Sequence, residues 1–180
     1  MDFTSFDSRS VADEGRPLHL RHPSTGELLW DDQGPHLDDD GAEVPREKPC
    51  LVYVLGTEGR VAQEAFREAA KLPKLPDDAT MQDYHDRLCV TARKLVVGFE
   101  NVDRNTRAAT MADVDWFLAL NVSNPVARGK GRSFAEQVLA FSNDRSAFLG
   151  KPEASSSAPR SRSAGRTPAL KAGRKRAGKT

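Results

Sequence analysis

Apolar residues recur at helical spacing through residues 81–100 and give this segment two distinct faces. Thr80 stands at the N-cap position, and Asp83 follows three residues later, where an acidic side chain suits the first turn. Gly98 is placed to end the helix. The pattern predicts a long two-sided helix at the centre of the fold. Its apolar stripe consists of Tyr84, Leu88, Ala92, Leu95, Val96 and Phe99.

Shorter apolar runs before this helix predict a small antiparallel sheet. Residues 18–21 alternate between apolar and polar side chains, and the turn residues Pro23 and Gly26 separate them from a second run. The run over residues 50–55 has the strongest strand pattern because it is apolar and rich in β-branched residues, and Gly56 ends it. The three predicted strands are residues 18–21, 27–30 and 50–55.

Three further helices are predicted around the central one, over residues 60–72, 111–121 and 134–149. The last begins with a capping box, in which Ser133 is the cap and Glu136 follows three residues later. Val61, Ala65, Phe66 and Ala69 mark the apolar face of the first helix, and Val114, Phe117 and Leu118 that of the second. The fold class predicted is α+β, with a small antiparallel N-terminal sheet packed on a four-helix C-terminal part.

Charge divides the chain of 180 residues into an acidic body and a basic tail. Residues 1–150 contain 18 Lys and Arg against 25 Asp and Glu, whereas residues 151–180 contain nine Lys and Arg against one Glu. The tail has one large apolar residue, Leu170, so it cannot bury enough surface to offset its chain entropy. The predicted organisation is a flexible arm (residues 1–13), one α+β domain (14–150) and a disordered basic tail (151–180).

No pattern in the chain indicates catalysis, a metal or a cofactor. Cys50 and Cys89 are expected to be buried free thiols of a reducing cytosol, and no histidine pairs with them at zinc-site spacing. The glycines of residues 54–59 lack a phosphate-loop fingerprint, and the acidic run at residues 38–40 lacks the spacing of a calcium loop. The sequence also lacks the pattern of a signal peptide and of a membrane-spanning segment, so the chain is expected to be cytosolic at synthesis.

Aromatic residues concentrate in the last two predicted helices, where most should be core and a minority should contact a partner. Trp116 and Phe117 are neighbours and diverge by about 100° on a helix, so Trp116 is the first candidate for a contact surface. The predicted partner-binding residues are Trp116, Phe117, Phe134, Phe141, Arg145 and Phe148.

Three segments of the chain resemble the tail assembly chaperones of long-tailed bacteriophages. Residues 18–29 (LHLRHPSTGELL) look like the opening strand and turn of that family. Residues 91–102 (TARKLVVGFENV) resemble its central helix, and residues 133–149 (SFAEQVLAFSNDRSAFL) resemble its closing helix. Together the segments cover about a third of the body in the expected order.

The resemblance implies a non-enzymatic protein of the bacterial host cytoplasm. Such proteins coat the helical tape measure protein, keep it soluble and help to bring tail tube subunits to it, and they are not generally kept in the virion. The tape measure protein is the expected partner, with the tail tube protein and self-association as further partner predictions. Two alternatives stay open: a structural minor tail protein retained in the virion, and a protein that binds nucleic acid non-specifically through residues 151–180.

Overall fold

The computed structural model describes residues 7–31, 46–122 and 132–149 and confirms the α+β class. The chain divides into units of residues 1–150 and 151–180, and the tail prediction lies outside the described residues. Over the described ranges, no helix has the length and apolarity needed to cross a membrane. The elements are α1 (Ser8–Glu14), β1 (Arg16–His19), β2 (Leu51–Val54), α2 (Arg60–Lys71), α3 (Met81–Leu95), β3 (Val96–Glu100), β4 (Asp103–Arg104), β5 (Arg107–Ala108), α4 (Val114–Ala119), α5 (Phe134–Ser142) and α6 (Arg145–Phe148).

A three-stranded antiparallel sheet, in the order β1–β2–β3, lies against the helices. The strand predicted over residues 50–55 is its central strand. The strand predicted over residues 27–30 is wrong, because this segment forms only the isolated bridges Arg21–Leu28 and Trp30–Pro49. Residues 27–30 lie between the end of β1 and the start of β2 and bond to both sides. Leu29 N donates to Leu20 O, and Cys50 N donates to Leu29 O.

The central helix begins as predicted and ends early. Thr80 and Asp83 form a reciprocal capping box, in which Thr80 N donates to the Asp83 carboxylate at 2.7 Å. The helix stops at Leu95, and the next residue, Val96, already belongs to β3. The prediction that Gly98 ends the helix is wrong, because Gly98 pairs with Tyr53 inside the sheet. Two adjacent valines and an aromatic residue favour a strand once β2 offers a partner, and this outweighs their helical spacing.

Helix α3 contacts α2, α4 and α5 along most of its length. Its buried residues include Ala92 and Leu95, as predicted, but Tyr84 is 47% exposed because the stripe runs past the edge of the core. Ion pairs of Arg93 with Asp115 and of Lys94 with Glu68 link it to α4 and α2. The buried core is Leu20, Val52, Val54, Leu55, Ala62, Ala92, Leu95, Val96, Val114, Phe117, Leu118, Phe134, Ala135 and Val138.

Helix α2 has the predicted extent to within one residue, but its inward face is rotated. Val61 is exposed, and Ala62 is buried in its place, next to the predicted Ala65. The helix begins at Arg60, whose N–H donates to the carboxylate of Asp13 at 2.7 Å. This bond links the start of α2 to α1.

Two short helices, α1 and α6, meet at the end of β2. The prediction of a flexible arm is wrong for residues 8–13, which belong to α1 and bury Ala12 completely. A Cβ at Gly56 would lie 2.9 Å from both Ala12 Cβ and the ring of Phe148, so only glycine permits this approach.

The single helix predicted over residues 134–149 is also wrong, although its Ser133–Glu136 capping box is confirmed. The helix breaks after Ser142, and Asp144 caps α6 by accepting from Ser146 N at 3.0 Å. Asp is a strong N-cap residue, so this local bond starts a new helix.

Candidate functional site

The structure divides the predicted partner-binding residues into buried and accessible ones. Phe117, Phe134 and Phe148 are 1%, 8% and 2% exposed, so their rings pack in the folded core, and their role as contact residues stays a prediction. Phe117 stacks on Phe134 with ring centroids 4.7 Å apart and meets Phe99 edge to face. These rings hold α4, α5 and β3 together, which explains their burial. Trp116 and Phe141 are half-buried, and Arg145 is exposed.

Trp116 forms part of an apolar cleft of about 260 Å³, here called the tryptophan cleft. Trp30 contributes a second indole, and the buried rings of Phe117 and Phe134 form the floor. Leu120, at the mouth, is 49% exposed. Six separate parts of the chain therefore build a concave surface that is suited to an apolar side chain. Its lining residues are Leu20, Leu29, Trp30, Asp31, Cys50, Asn101, Val102, Asp103, Trp116, Phe117, Leu120 and Phe134.

A buried carboxylate holds one wall of the tryptophan cleft in place. Asp113 is 1% exposed and accepts hydrogen bonds from Arg104 at 2.7 Å and from Arg107 at 2.7 and 2.8 Å. It also accepts from Thr110 N at 2.9 Å, which closes a capping box before α4. The guanidinium carbon of Arg104 lies 5.1 Å from the centroid of the Trp116 ring, a cation–π distance. Asp113 thus fixes Trp116 through Arg104.

The electrostatics of this support follow from the same contacts. Hydrogen bonds from Arg107, then from Thr110 N and Arg104, hold the pKa of Asp113 far below its ordinary value. The two arginines converge because β4 and β5 form a hairpin whose loop residues, Asn105 and Thr106, both have positive φ. The sequence did not predict this hairpin, since Thr rarely occupies such a position. The Asn in the loop was the one available signal.

Phe141 lines a larger groove, of about 610 Å³, between β1 and α5. We call it the edge groove. Gln137 closes one part of it: its side-chain oxygen accepts from Arg21 N at 2.8 Å, and its nitrogen donates to Arg21 O at 2.8 Å. The lining combines apolar and charged side chains. They are Leu18, His19, Arg21, Gly26, Arg132, Gln137, Ala140, Phe141 and Asp144.

Arg145, the remaining predicted contact residue, lies in neither cleft lining. Its Nε is 2.7 Å from a carboxylate oxygen of Glu58, and its side chain is 71% exposed. Glu58 also accepts from the hydroxyl of Ser8. Arg145 therefore ties α6 to the turn before α2 at the surface.

Nucleophilic chemistry has little support at the one Cys–His pair described. Cys89 Sγ lies 3.3 Å from His85 Nε2, which is also 3.0 Å from Leu118 O. Burial, followed by the nearby carboxylates of Asp86 and Asp115, raises the pKa of the Cys89 thiol to about 11. A thiol with this pKa carries almost no thiolate at neutral pH.

Neither cysteine is as buried as predicted: both are half-buried, and they form no disulfide with each other. Within the part of the chain that the structure describes, no group of three or more His, Cys, Asp or Glu residues is placed to hold a metal ion.

Comparisons with family models, curated proteins and solved structures found nothing that matches this chain. The site is therefore defined by its geometry alone. The sequence pointed to Trp116, but Trp30 was missed as a cleft residue because only the tertiary fold brings it to the same opening. Leu120 was also missed, although its position four residues after Trp116, at the end of α4, was an available signal.

Proposed function

We propose that this protein is a tail assembly chaperone that binds apolar helical surface of a phage tape measure protein. The observation that carries the proposal is the tryptophan cleft, an apolar concavity with the exposed side chain of Leu120 at its mouth. Further support comes from the three sequence segments that resemble the chaperone family. The protein acts in the cytoplasm of the bacterial host and is released before the virion is complete.

The size of the cleft agrees with this role. A volume of about 260 Å³ accepts a few apolar side chains of a helix and cannot enclose the whole helix. In helix-in-groove recognition, residues at i, i+3 and i+4 of the ligand enter such a concavity. Each contact is weak, and many copies along one long client gain strength from multivalency. Reversible coating of this kind leaves the client free to receive tube subunits.

Co-expression with the tape measure protein from the same phage genome tests the proposal. We expect the tape measure protein to become soluble with the wild-type chain and to stay largely insoluble with Leu120→Glu, which puts a charge at the cleft mouth. Val61→Glu is the matched control, because Val61 is equally exposed and lies on α2, outside the cleft. Equal solubility of the tape measure protein with and without the chaperone contradicts the proposal.

A structural minor tail protein is the alternative within the same assembly. Mass spectrometry of purified particles separates the two, since a chaperone is absent from them and a minor tail protein is present in stoichiometric amount.

The charge of residues 151–180 favours a second candidate function, non-specific nucleic-acid binding. Nine Lys and Arg against one Glu give this segment a net charge of +8. Binding through it would fall steeply with salt, because each phosphate contact releases counterions. Deleting residues 151–180 should abolish DNA binding in a gel-shift assay. Undiminished binding by the shortened chain rejects this candidate.

A further inference from the structure

We propose that the edge groove binds a short extended peptide segment of a partner protein, which adds to the sheet as a fourth strand beside β1. The segment carries an acidic side chain that pairs with Arg21 and Arg132. This site is separate from the tryptophan cleft and recognises a different conformation, a strand in place of a helix. It extends the protein beyond the proposed chaperone role.

The pairing of β1 determines which backbone groups face the groove. β1 is an edge strand, and Arg16 and Leu18 pair with Val54 and Val52 of β2. Leu20 continues this series, since Leu20 N donates to Cys50 O at 3.0 Å. In an antiparallel ladder, the residues between such pairs direct their N–H and C=O groups to the opposite side. Pro17 and His19 therefore present their backbone groups to the outer edge.

Arg21 shows that this outer side is a hydrogen-bonding edge. Arg21 lies opposite Leu28 in an antiparallel bridge. The hydrogen bonds of this bridge are made by the neighbouring residues, Leu20 with Leu29 and His22 with Glu27, so the N–H and C=O of Arg21 point outward. Both are taken by the side-chain amide of Gln137, at 2.8 Å each. The amide thus occupies the position that one residue of a neighbouring strand would take. The next outward position along β1 is His19, which has no such partner among the described residues.

The open part of this edge is short, and its length selects the ligand. Pro17 has no N–H, which limits pairing at one end, and Gln137 closes the other. The free ladder groups are the N–H and C=O of His19 and the C=O of Pro17. A second copy of β1 would bring another proline to the same position, and a long strand would meet Gln137. A peptide of a few residues fits this window, in the strand-addition mode of recognition.

Helix α5, on the opposite side of the edge groove from β1, and the charged residues of the lining determine which peptide side chains fit. Helix α5 contributes Ala140, whose small side chain leaves space, and the half-buried ring of Phe141, which offers an apolar contact. Arg21 and Arg132 lie at the Gln137 end, and neither forms an ion pair within the described ranges. One guanidinium nitrogen of Arg21, Nη1, donates to Gly26 O at 3.0 Å, which leaves its other N–H groups for a ligand carboxylate. Asp144, also in the lining, accepts from Ser146 N and Oγ and keeps its negative charge, so the two arginines outnumber one carboxylate in the groove. An apolar residue next to Phe141 and a carboxylate near the arginines complete the complementarity.

A displayed library of random octapeptides, selected on the full-length wild-type protein, tests the proposal. We expect the selected peptides to share an acidic residue and to lose affinity by about tenfold or more for Ala140→Arg, which fills the groove. Ala140→Trp fills it without adding charge, and circular dichroism confirms that both variants are folded. Leu120→Glu, in the tryptophan cleft, is the control and should leave peptide affinity unchanged.

Two further measurements distinguish strand addition from other modes of binding. N-methylation of successive peptide amides should weaken binding at the amide that donates to His19 O and leave its neighbours unaffected, because strand hydrogen bonds alternate. Selection on the double variant Arg21→Glu, Arg132→Glu should enrich basic residues in place of acidic ones. The proposal is overturned if peptides are enriched equally on Ala140→Trp, if N-methylation acts uniformly, or if the charge preference does not reverse.

Discussion

The two concave surfaces of this domain are built in different ways. The tryptophan cleft is made of side chains, and its floor is the hydrophobic core itself, since Phe117 and Phe134 belong to both. The edge groove is bounded by the backbone of β1, whose end is satisfied by one amide from α5. The shape of the cleft therefore depends on packing of the core, whereas the shape of the groove depends on hydrogen bonding at a sheet edge.

The largest expected effect is that of Phe117→Ala, because Phe117 belongs both to the hydrophobic core and to the floor of the tryptophan cleft, and not to the lining of the edge groove. Removing a fully buried ring that contacts Phe99 and Phe134 should lower the free energy of unfolding by about 3–5 kcal/mol, measured by urea denaturation. Trp116→Ala, at a half-buried neighbour, is the control and should cost less. Equal losses for the two variants would show that the ring of Phe117 is not part of the core.

Asp113→Asn should have the next largest effect and should change how stability depends on pH. The pKa of Asp113 is lowered in the folded state, so its contribution is present above the ordinary carboxyl pKa and is lost as pH falls below it. We expect Asp113→Asn to lower Tm at pH 7 by about 5–10 °C.

Thermal melts of both proteins from pH 7 to pH 2 provide the measurement. The difference in Tm should shrink as the solution is acidified below about pH 4, because Asp113 then takes up a proton in the unfolded wild type while it stays ionised in the folded state, and the variant has no such group. A constant difference in Tm across the whole range would show that the pKa of Asp113 is the same in the folded and unfolded states, which contradicts the inference.

Gln137→Ala tests how much the hydrogen bonds at the edge groove contribute to stability. The variant leaves the outward N–H and C=O of Arg21 without their protein partner, so we expect a loss of about 1–3 kcal/mol in the free energy of unfolding. Gln63→Ala is the matched control, since Gln63 is half-buried and makes one hydrogen bond, to Glu58 O at 3.2 Å. A loss no larger than that of the control would mean that water replaces the Gln137 amide without penalty.

Leu120→Glu should have the smallest effect on stability, within about 0.5 kcal/mol in urea denaturation, because half of the side chain is exposed and its environment is not tightly packed. Together with loss of client solubilisation, this result would separate function from folding at the tryptophan cleft. A large loss of stability would instead make Leu120 a core residue.

Local signals in the sequence predicted much of the fold. The N-cap at Thr80 and the capping box Ser133–Glu136 were identified because a cap requires only residues a few positions apart. The central strand and the helix over residues 60–72 followed from composition and periodicity in the same way. Features of this kind depend only on residues within one helical turn or one strand of each other in the sequence.

Contacts between distant residues set the limits of the prediction. The strand β3 was read as helix because its spacing fits both states and the deciding partner, β2, lies more than 40 residues earlier. Gln137 and Arg21 are separated by 116 positions, so nothing near either residue indicates their pairing. The buried rings of Phe117, Phe134 and Phe148 were also named as candidate contact residues for this reason, since periodicity identifies an apolar face and not what covers it.

The direct passage from Leu95 to Val96 makes this junction intolerant of changes in chain length. One inserted residue would turn the preceding helix by about 100° relative to the sheet and would reverse the sides on which the following side chains lie. The apolar face of α3 and the inward side chains of β3 would then no longer both face the core. Natural variants of this chain should therefore accept insertions and deletions at surface connections such as residues 72–80 and keep the spacing from Met81 to Glu100 fixed.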